Sequence, residues 1–196
     1  MIYFLTLQNF YKTKRRLILT MEIWDLYTKD REKTNKTMIR GEKVPEGFYH
    51  LSVTVCIFNN EGKMLIQQRV PTKDDWPNLW DVSCAGSAIS GDTSQTAAER
   101  EVFEELGLKI NLQNERPHLT NHFDVGFNDV YVLNMDVDLS KLKLQAEEVQ
   151  NVKWATMEEI FKMLDEKTFI PYHKAWIELL FHRSKTRSNK TSEITR

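Results

Sequence analysis

Between Arg100 and Leu108 the chain reads Arg-Glu-Val-Phe-Glu-Glu-Leu-Gly-Leu, and these residues carry its clearest chemical signal. Wound as a helix at ~100° per residue over 94–106, Glu101, Glu104 and Glu105 fall within one ~100° sector. Val102, Phe103 and Leu106 then turn the other way, toward a core. Like charges at i, i+3 and i+4 each cost an isolated helix about 0.2–0.5 kcal/mol. On that face only Arg100, four residues before Glu104, offsets them. A hard divalent cation would do so better, because it takes oxygen ligands and is commonly shared between carboxylates and substrate phosphates. Mg²⁺ is the expected ion, with Mn²⁺ able to substitute. A bare Glu-x-x-Glu-Glu is more often a solvated acidic face, so the frame around it decides. Gly86 and Gly91 mark a tight loop, Thr93 or Asp92 can cap the helix start, and Gly107 closes it at C′.

A second constellation lies upstream, where Arg69, Lys73, Trp76, Pro77 and Trp80 follow one another at short spacing. Two cations and two tryptophans on a proline-bearing loop can grip a diphosphate and cover an organic group. The plainer reading puts both tryptophans in a core and both cations on the surface. Outside the acidic helix, Asp129, Glu147 and Glu148 are the acids that chain order makes available as a general base. His50 stands alone at the start of an apolar run, where it can serve a structural or a chemical role.

The loop and helix resemble the signature of the Nudix hydrolase family. That signature is a glycine, an acid six residues on, then Arg-Glu-aliphatic-x-Glu-Glu-x-Gly-aliphatic, and Gly86, Arg100, Glu101, Val102, Glu104, Glu105, Gly107 and Leu108 match it. Asp92 departs from it, since the family usually has Glu there. The resemblance implies a Mg²⁺-dependent hydrolase of phosphoanhydride bonds acting on a small-molecule diphosphate. In that reading Glu101, Glu104 and Glu105 hold the metal with the Gly86 carbonyl, and Arg100 orients the carboxylates. The upstream Arg, Lys, Trp-Pro-x-x-Trp and His50 look like the subgroup related to isopentenyl-diphosphate isomerase. That enzyme has a cysteine just before the box glycine and a metal-binding histidine just after it, whereas this chain has Ala85 and Ser87. Cys84 is one residue early, so in a strand it faces the other way, and Asp129 stands where the isomerase has its second acid. The hydrolase is therefore the expected function, with the isomerase as the alternative. A Nudix-like binding module without catalysis is a third reading, and the complete set of carboxylates weighs against it.

Positioning these groups requires strands. Residues 23–28 and 36–40 read as a hairpin around a polar turn, and Leu51–Phe58 as a buried central strand rich in β-branched residues. Lys63–Arg69, Trp80–Cys84, Lys109–Leu112, His118–Val125, Asp129–Val137 and Val149–Ala155 read as further strands. Thr156 and Glu159 form a capping box for a second helix, and Tyr172–Arg183 reads as a last amphipathic helix. Strands outnumber helices, and the long helices sit between or after strands, which predicts an α/β fold, an α/β/α sandwich with a mixed sheet; the resemblance implies the same.

A chain of 196 residues with 41% hydrophobic and 28% charged residues suits one globular domain. Its net charge of −1 gives no general attraction to nucleic acid or acidic membranes, so an anionic substrate must be held by local cations or a metal. Two cysteines, Cys56 and Cys84, lie in apolar runs and read as buried free thiols suited to a reducing cytoplasm. No stretch of ~18 apolar residues is present to span a membrane. Residues 1–20 place their basic cluster after the apolar positions, the wrong order for a secretory signal. They read as an extension ahead of a natural start at Met21. The expected organisation is extension 1–20, Nudix domain 21–183 and disordered polar tail 184–196, with a homodimer compatible.

Overall fold

The structure, a computed structural model, describes residues 22–189. The extension 1–20, Met21 and the end of the polar tail, 190–196, lie outside the described residues. Strands β1 (Ile23–Tyr27) and β2 (Lys33–Ile39) form an antiparallel hairpin of their own. A seven-stranded sheet follows, made of β3 (His50–Phe58), β4 (Met64–Arg69), β5 (Trp80–Asp81), β6 (Cys84–Ser87), β7 (Leu119–Phe123), β8 (Gly126–Asn134) and β9 (Val149–Ala155). Helices α1 (Ser94–Leu106), α2 (Met157–Asp165) and α3 (Lys174–Asn189) complete the described chain.

The apolar run of β3 puts it at the centre, parallel to β8 over its whole length and antiparallel to β6. Its side chains alternate between two cores. Leu51, Val53, Val55 and Ile57 pack with Ala97, Ala98, Val102 and Leu106 of α1. Cys56 and Phe58 pack with Ile160 of α2 and Ile177, Leu180 and Phe181 of α3. The sheet is thus mixed and covered on both faces, the expected α/β/α sandwich.

Strands β3 and β4 meet in register only at Phe58 and Met64. Beyond that point β4 leaves to pair with β9 and β5, and β6 takes its place beside β3. Ser83, fully buried, bridges the split: its hydroxyl donates to the Leu65 carbonyl (2.6 Å) and accepts the Ile57 N–H (2.8 Å). Two backbone groups that the splayed strands cannot pair are satisfied in this way.

The hairpin is tied to the sandwich. Tyr27 and Tyr49 exchange backbone hydrogen bonds (2.8 and 3.0 Å), and the Ser90 N–H donates to the Ile23 carbonyl (2.6 Å). Asp25 accepts from the Ser90 hydroxyl (2.9 Å) and the Gly91 N–H (2.8 Å). Arg31 makes a two-pronged pair with Asp129 (2.9 and 2.8 Å).

Four expectations change. Lys109–Leu112 is not a strand, because no sheet edge reaches it; Leu112 is buried against the α1 core, and its N–H donates to the Glu99 carboxylate (2.5 Å). Trp80–Cys84 is two short strands, broken at Val82 and Ser83 where the chain crosses the split. Helix α3 runs past Ser184, the expected start of the tail; Ser184 is buried and donates its hydroxyl to the Phe181 carbonyl (2.8 Å). Phe103, expected in the core, is 50% exposed. No helix among the described residues is long and apolar enough to cross a membrane.

Candidate active site

Helix α1 begins and ends where the sequence indicates. Thr93 caps it, with Thr96 as its reciprocal partner, and Gly107 closes it in the left-handed region at φ 65°. The last carbonyls are also satisfied, since the N–H groups of Lys143 and Gln145 donate to Leu106 and Glu105 (3.0 Å each). A connection running to Glu148 is thereby fixed against the C-terminal end of α1.

Glu101 lies directly over Gly86 of β6. A Cβ at residue 86 would stand 2.1 Å from the Glu101 Cδ, so glycine is required there by close approach. Arg100 organises the rest. One guanidinium nitrogen reaches Glu101 (2.9 Å) and Glu104 (3.1 Å), and another reaches Asp92 (3.0 Å) and the Ser87 carbonyl (2.9 Å). Asp92 is therefore an anchor for Arg100, a task the shorter acid performs. Burial works against the charge on Arg100, but Glu101 and Asp92 outweigh it and raise the guanidinium's pKa.

The three glutamates differ in setting. Glu104 is half exposed. Burial raises Glu101, with Arg100 pulling the other way. Glu105 is only 6% exposed; burial pushes it up to about 8, although the Gln67 amide (2.8 Å) and the Cys84 thiol lie against it. Gln67 is a residue the sequence reading missed. Its amide oxygen is buried without a hydrogen-bond partner among the described residues.

Glu101, Glu104 and Glu105 line a cavity of about 110 Å³ with Ala85, Gly86, Arg69, Lys73, Glu148, Gln145, Glu22 and Arg40. Arg69 donates to the Asp75 carbonyl (3.1 Å), and Lys73 pairs with Glu148. Arg40 pairs with Glu22 (2.8 Å) at the lip. Neither Arg40 nor Glu22 had a sequence signal, because hairpin residues reach the site only through the docking of β1–β2. The tryptophans do not line this cavity. Trp76 is half exposed on its loop, and Trp80 packs against the α2–α3 core with Lys153 over its ring (4.6 Å).

Of the acids outside the helix, Glu148 reaches the cavity, Glu147 is exposed, and Asp129 faces α1. Asp129 is 1% exposed and accepts from Arg31 and from the Thr120 hydroxyl (2.7 Å). Its neighbour Asn128, not Asp129, shares a sheet face with Ala85, so Asp129 and the Ala85 side chain lie on opposite faces of the sheet. Cys84 is fully buried in the α1 core while Ala85 packs on the other, and burial pushes the Cys84 thiol far up.

Among the described residues no three acid, His or Cys side chains are yet drawn to coordinating distances. The donor set nevertheless fits a hard cation. Three carboxylates share one cavity, two of them raised by burial, and an open backbone at Gly86 adjoins them.

The NUDIX domain family profile matches residues 48–180. The chain is 52% identical over 152 residues to an uncharacterized Nudix hydrolase of Listeria innocua, covering 78% of this chain and 90% of that protein. An isopentenyl-diphosphate Delta-isomerase of Salmonella heidelberg is 29% identical over 120 residues, 59% of this chain and 66% of that protein. The isomerase likeness is thus the more distant one. A crystal structure from Deinococcus radiodurans, 24% identical, superposes with a TM-score of 0.64 over 81% of this chain and 97% of that one, which shows the fold. With the family profile covering most of the chain and the box of glycine, arginine and glutamates assembled on one loop and helix, the chain belongs to the Nudix hydrolase family.

Proposed function

We propose that this protein hydrolyses a phosphoanhydride bond in an organic diphosphate, using Mg²⁺ or Mn²⁺. The observation that carries this reading is the single cavity in which Glu101, Glu104 and Glu105 face Arg69 and Lys73. When bound, the metal neutralises phosphate oxygens and acidifies water. Glu101, Glu104, Glu105 and the Gly86 carbonyl would hold it.

The protein's own groups do the rest. Arg100 fixes the orientation of Glu101 and Glu104 by charge-assisted hydrogen bonds and does not line the cavity itself. Arg69 and Lys73 supply positive charge for the phosphate oxygens, Lys73 exchanging Glu148 for substrate. Glu148, released from Lys73, is the carboxylate placed to take a proton from water.

The isomerase reading is weaker. At position 85 alanine offers no proton, and Cys84, one residue away, faces the opposite core. The test is a panel of nucleoside, sugar and isoprenoid diphosphates incubated with Mg²⁺ in ¹⁸O-labelled water. Label in a product phosphate, abolished by chelator, is expected. Turnover undiminished in chelator would reject the proposal. Isopentenyl diphosphate in deuterated water should acquire no carbon-bound deuterium.

A further inference from the structure

Asp81 is an acid buried outside the carboxylate cavity. It is 3% exposed, on the two-residue strand β5, with Gln67 of β4 as its register partner. One of its oxygens is fully employed: Oδ1 accepts the Val82 N–H (2.7 Å) and the Tyr172 hydroxyl (2.9 Å). Among the described residues no hydrogen bond reaches Oδ2. It faces the Arg69 guanidinium, with Nη1 at 3.9 Å. At that distance the contact is an ion pair and not a hydrogen bond.

Tyr172 is brought to Asp81 by the connection between α2 and α3, which runs beside β5. The Trp80 N–H donates to the Thr168 carbonyl (2.9 Å), and the Ile170 N–H donates to the Trp80 carbonyl (2.8 Å). Two residues further on, the Tyr172 ring stacks on Trp176 (4.6 Å between centroids), which sets the direction of its hydroxyl. Burial and the adjacent Asp81 raise that hydroxyl well above its ordinary pKa, so it keeps its proton and donates. Burial raises Asp81 as well, while Tyr172, Val82 and Arg69 all pull the other way.

A fold that needed only these hydrogen bonds would be served as well by asparagine at position 81, because one amide oxygen can accept both donors. A buried carboxylate costs more than a buried amide, so its charge needs a use. Arg69 supplies that use. Its backbone is fixed on both sides, the N–H donating to the Leu79 carbonyl (2.9 Å) and the carbonyl accepting from the Gln150 amide (2.8 Å). Its Nε is held by the Asp75 carbonyl (3.1 Å). The two Nη groups make no hydrogen bond among the described residues, although the side chain is only 17% exposed in the wall of the carboxylate cavity. A guanidinium held at Nε alone can pivot about that bond, and a negative charge beside Nη1 sets its angle. We infer that Asp81 is a positioning residue, aiming the Arg69 guanidinium at the phosphate oxygens of the substrate while Tyr172 holds Asp81 in place. This rests on the reading of Arg69 as a phosphate-binding cation. The direct field of Asp81 has the opposite sign: a carboxylate near a polyanion repels it, so field alone would make binding tighter once the charge is removed.

The test is calorimetric binding of methylenediphosphonate, a diphosphate that resists cleavage, to the full chain in saturating Mg²⁺. Asp81→Asn keeps an acceptor for Val82 and Tyr172 and removes only the charge. Its Kd should rise about tenfold, as for the loss of one charge-assisted contact, with Tm within about 2–4 °C of wild type. Tyr172→Phe keeps the stack on Trp176 and should raise Kd about threefold. Arg69→Gln should weaken binding more than either, and in that background Asp81→Asn should change nothing further. A purely structural role does not produce that lack of additivity. Wild-type affinity in both Asp81→Asn and Tyr172→Phe would overturn the inference, as would tighter binding by Asp81→Asn, the signature of direct repulsion. An equal loss with and without Arg69 would make Asp81 part of the scaffold. Should Asp81→Asn fail to fold, Tyr172→Phe taken through the same cycle decides. Undiminished binding by Arg69→Gln would sink the phosphate role of Arg69 and the inference with it. A loss in Arg69→Gln that Asp81→Asn does not share would sink the inference alone.

Discussion

Gly86→Ala is the sharpest probe of how the site is built. The added Cβ would sit 2.1 Å from the Glu101 Cδ and 2.4 Å from each carboxylate oxygen. Carbon atoms in comfortable contact stand ~3.5–4.0 Å apart, so the carboxylate must retreat by about 1.5 Å. The backbone has no reason to resist, because Gly86 is not in the left-handed region, and Glu101 can yield at the end of its side chain. Stability should therefore fall by about 1 kcal/mol or less, a shift of no more than ~4 °C in Tm for a domain of this size. Catalysis is less forgiving, since ~1 Å of misplacement can cost about 100-fold. The variant should melt close to wild type and lose about two orders of magnitude in kcat/KM with Mg²⁺. Thermal melts in a Glu101→Ala background separate the causes: there the clash is gone, and Gly86→Ala should cost nothing further. Wild-type turnover by Gly86→Ala would mean that Glu101 does not act from the position seen here.

In chelator, thermal stability should fall as pH rises from about 5 to about 8. Glu105 is raised to about 8 by burial, so across that window the folded protein keeps a proton that the unfolded chain has lost. Melts across pH should show the slope flattened in Glu105→Gln, and an equal slope in both would refute the assignment. Arg100→Lys keeps the charge but cannot hold Asp92, the Ser87 carbonyl, Glu101 and Glu104 together, so kcat should drop at least tenfold with the fold retained; unaltered kcat would reduce Arg100 to a surface partner. Arg31→Ala leaves the buried Asp129 without its partner and should cost about 3–5 kcal/mol by denaturant unfolding, with much of the loss recovered in Arg31→Ala/Asp129→Asn. No recovery in the double variant would show that Arg31 acts through packing.

What could be read from the sequence was local. The helix, its two caps and the spacing of Glu101, Glu104 and Glu105 follow from rules that operate within a turn or two, and they appear in the structure where expected. Gly86 was legible because its motif is short. What failed depended on partners far along the chain. Lys109–Leu112 alternates as a strand does, but whether an edge awaits it is settled elsewhere in the sheet. Asp129 looked like an available acid until Arg31, 98 residues earlier, proved to hold it. Gln67, Arg40 and Glu22 are ordinary polar residues: Gln67 meets Glu105 only because β4 splits from β3, and Arg40 and Glu22 line the cavity only because the hairpin docks. Trp76 and Trp80 shared a loop in sequence but went to different surroundings, one toward solvent and one into a core.

The docked hairpin also sets a timetable for synthesis. Arg31 leaves the ribosome 98 residues before Asp129, which at ~5–20 residues per second is a wait of roughly 5–20 s. Over that interval β1 and β2 have neither Asp129 nor, at first, the Ser90–Gly91 loop to hold them. A lone two-stranded ribbon is marginal in water, so the nascent N-terminal segment carries Trp24, Leu26 and Tyr27 exposed until the loop and then β8 emerge. The long-range tie to Asp129 thus makes the hairpin that carries Arg40 and Glu22 wait for a strand made 98 residues later.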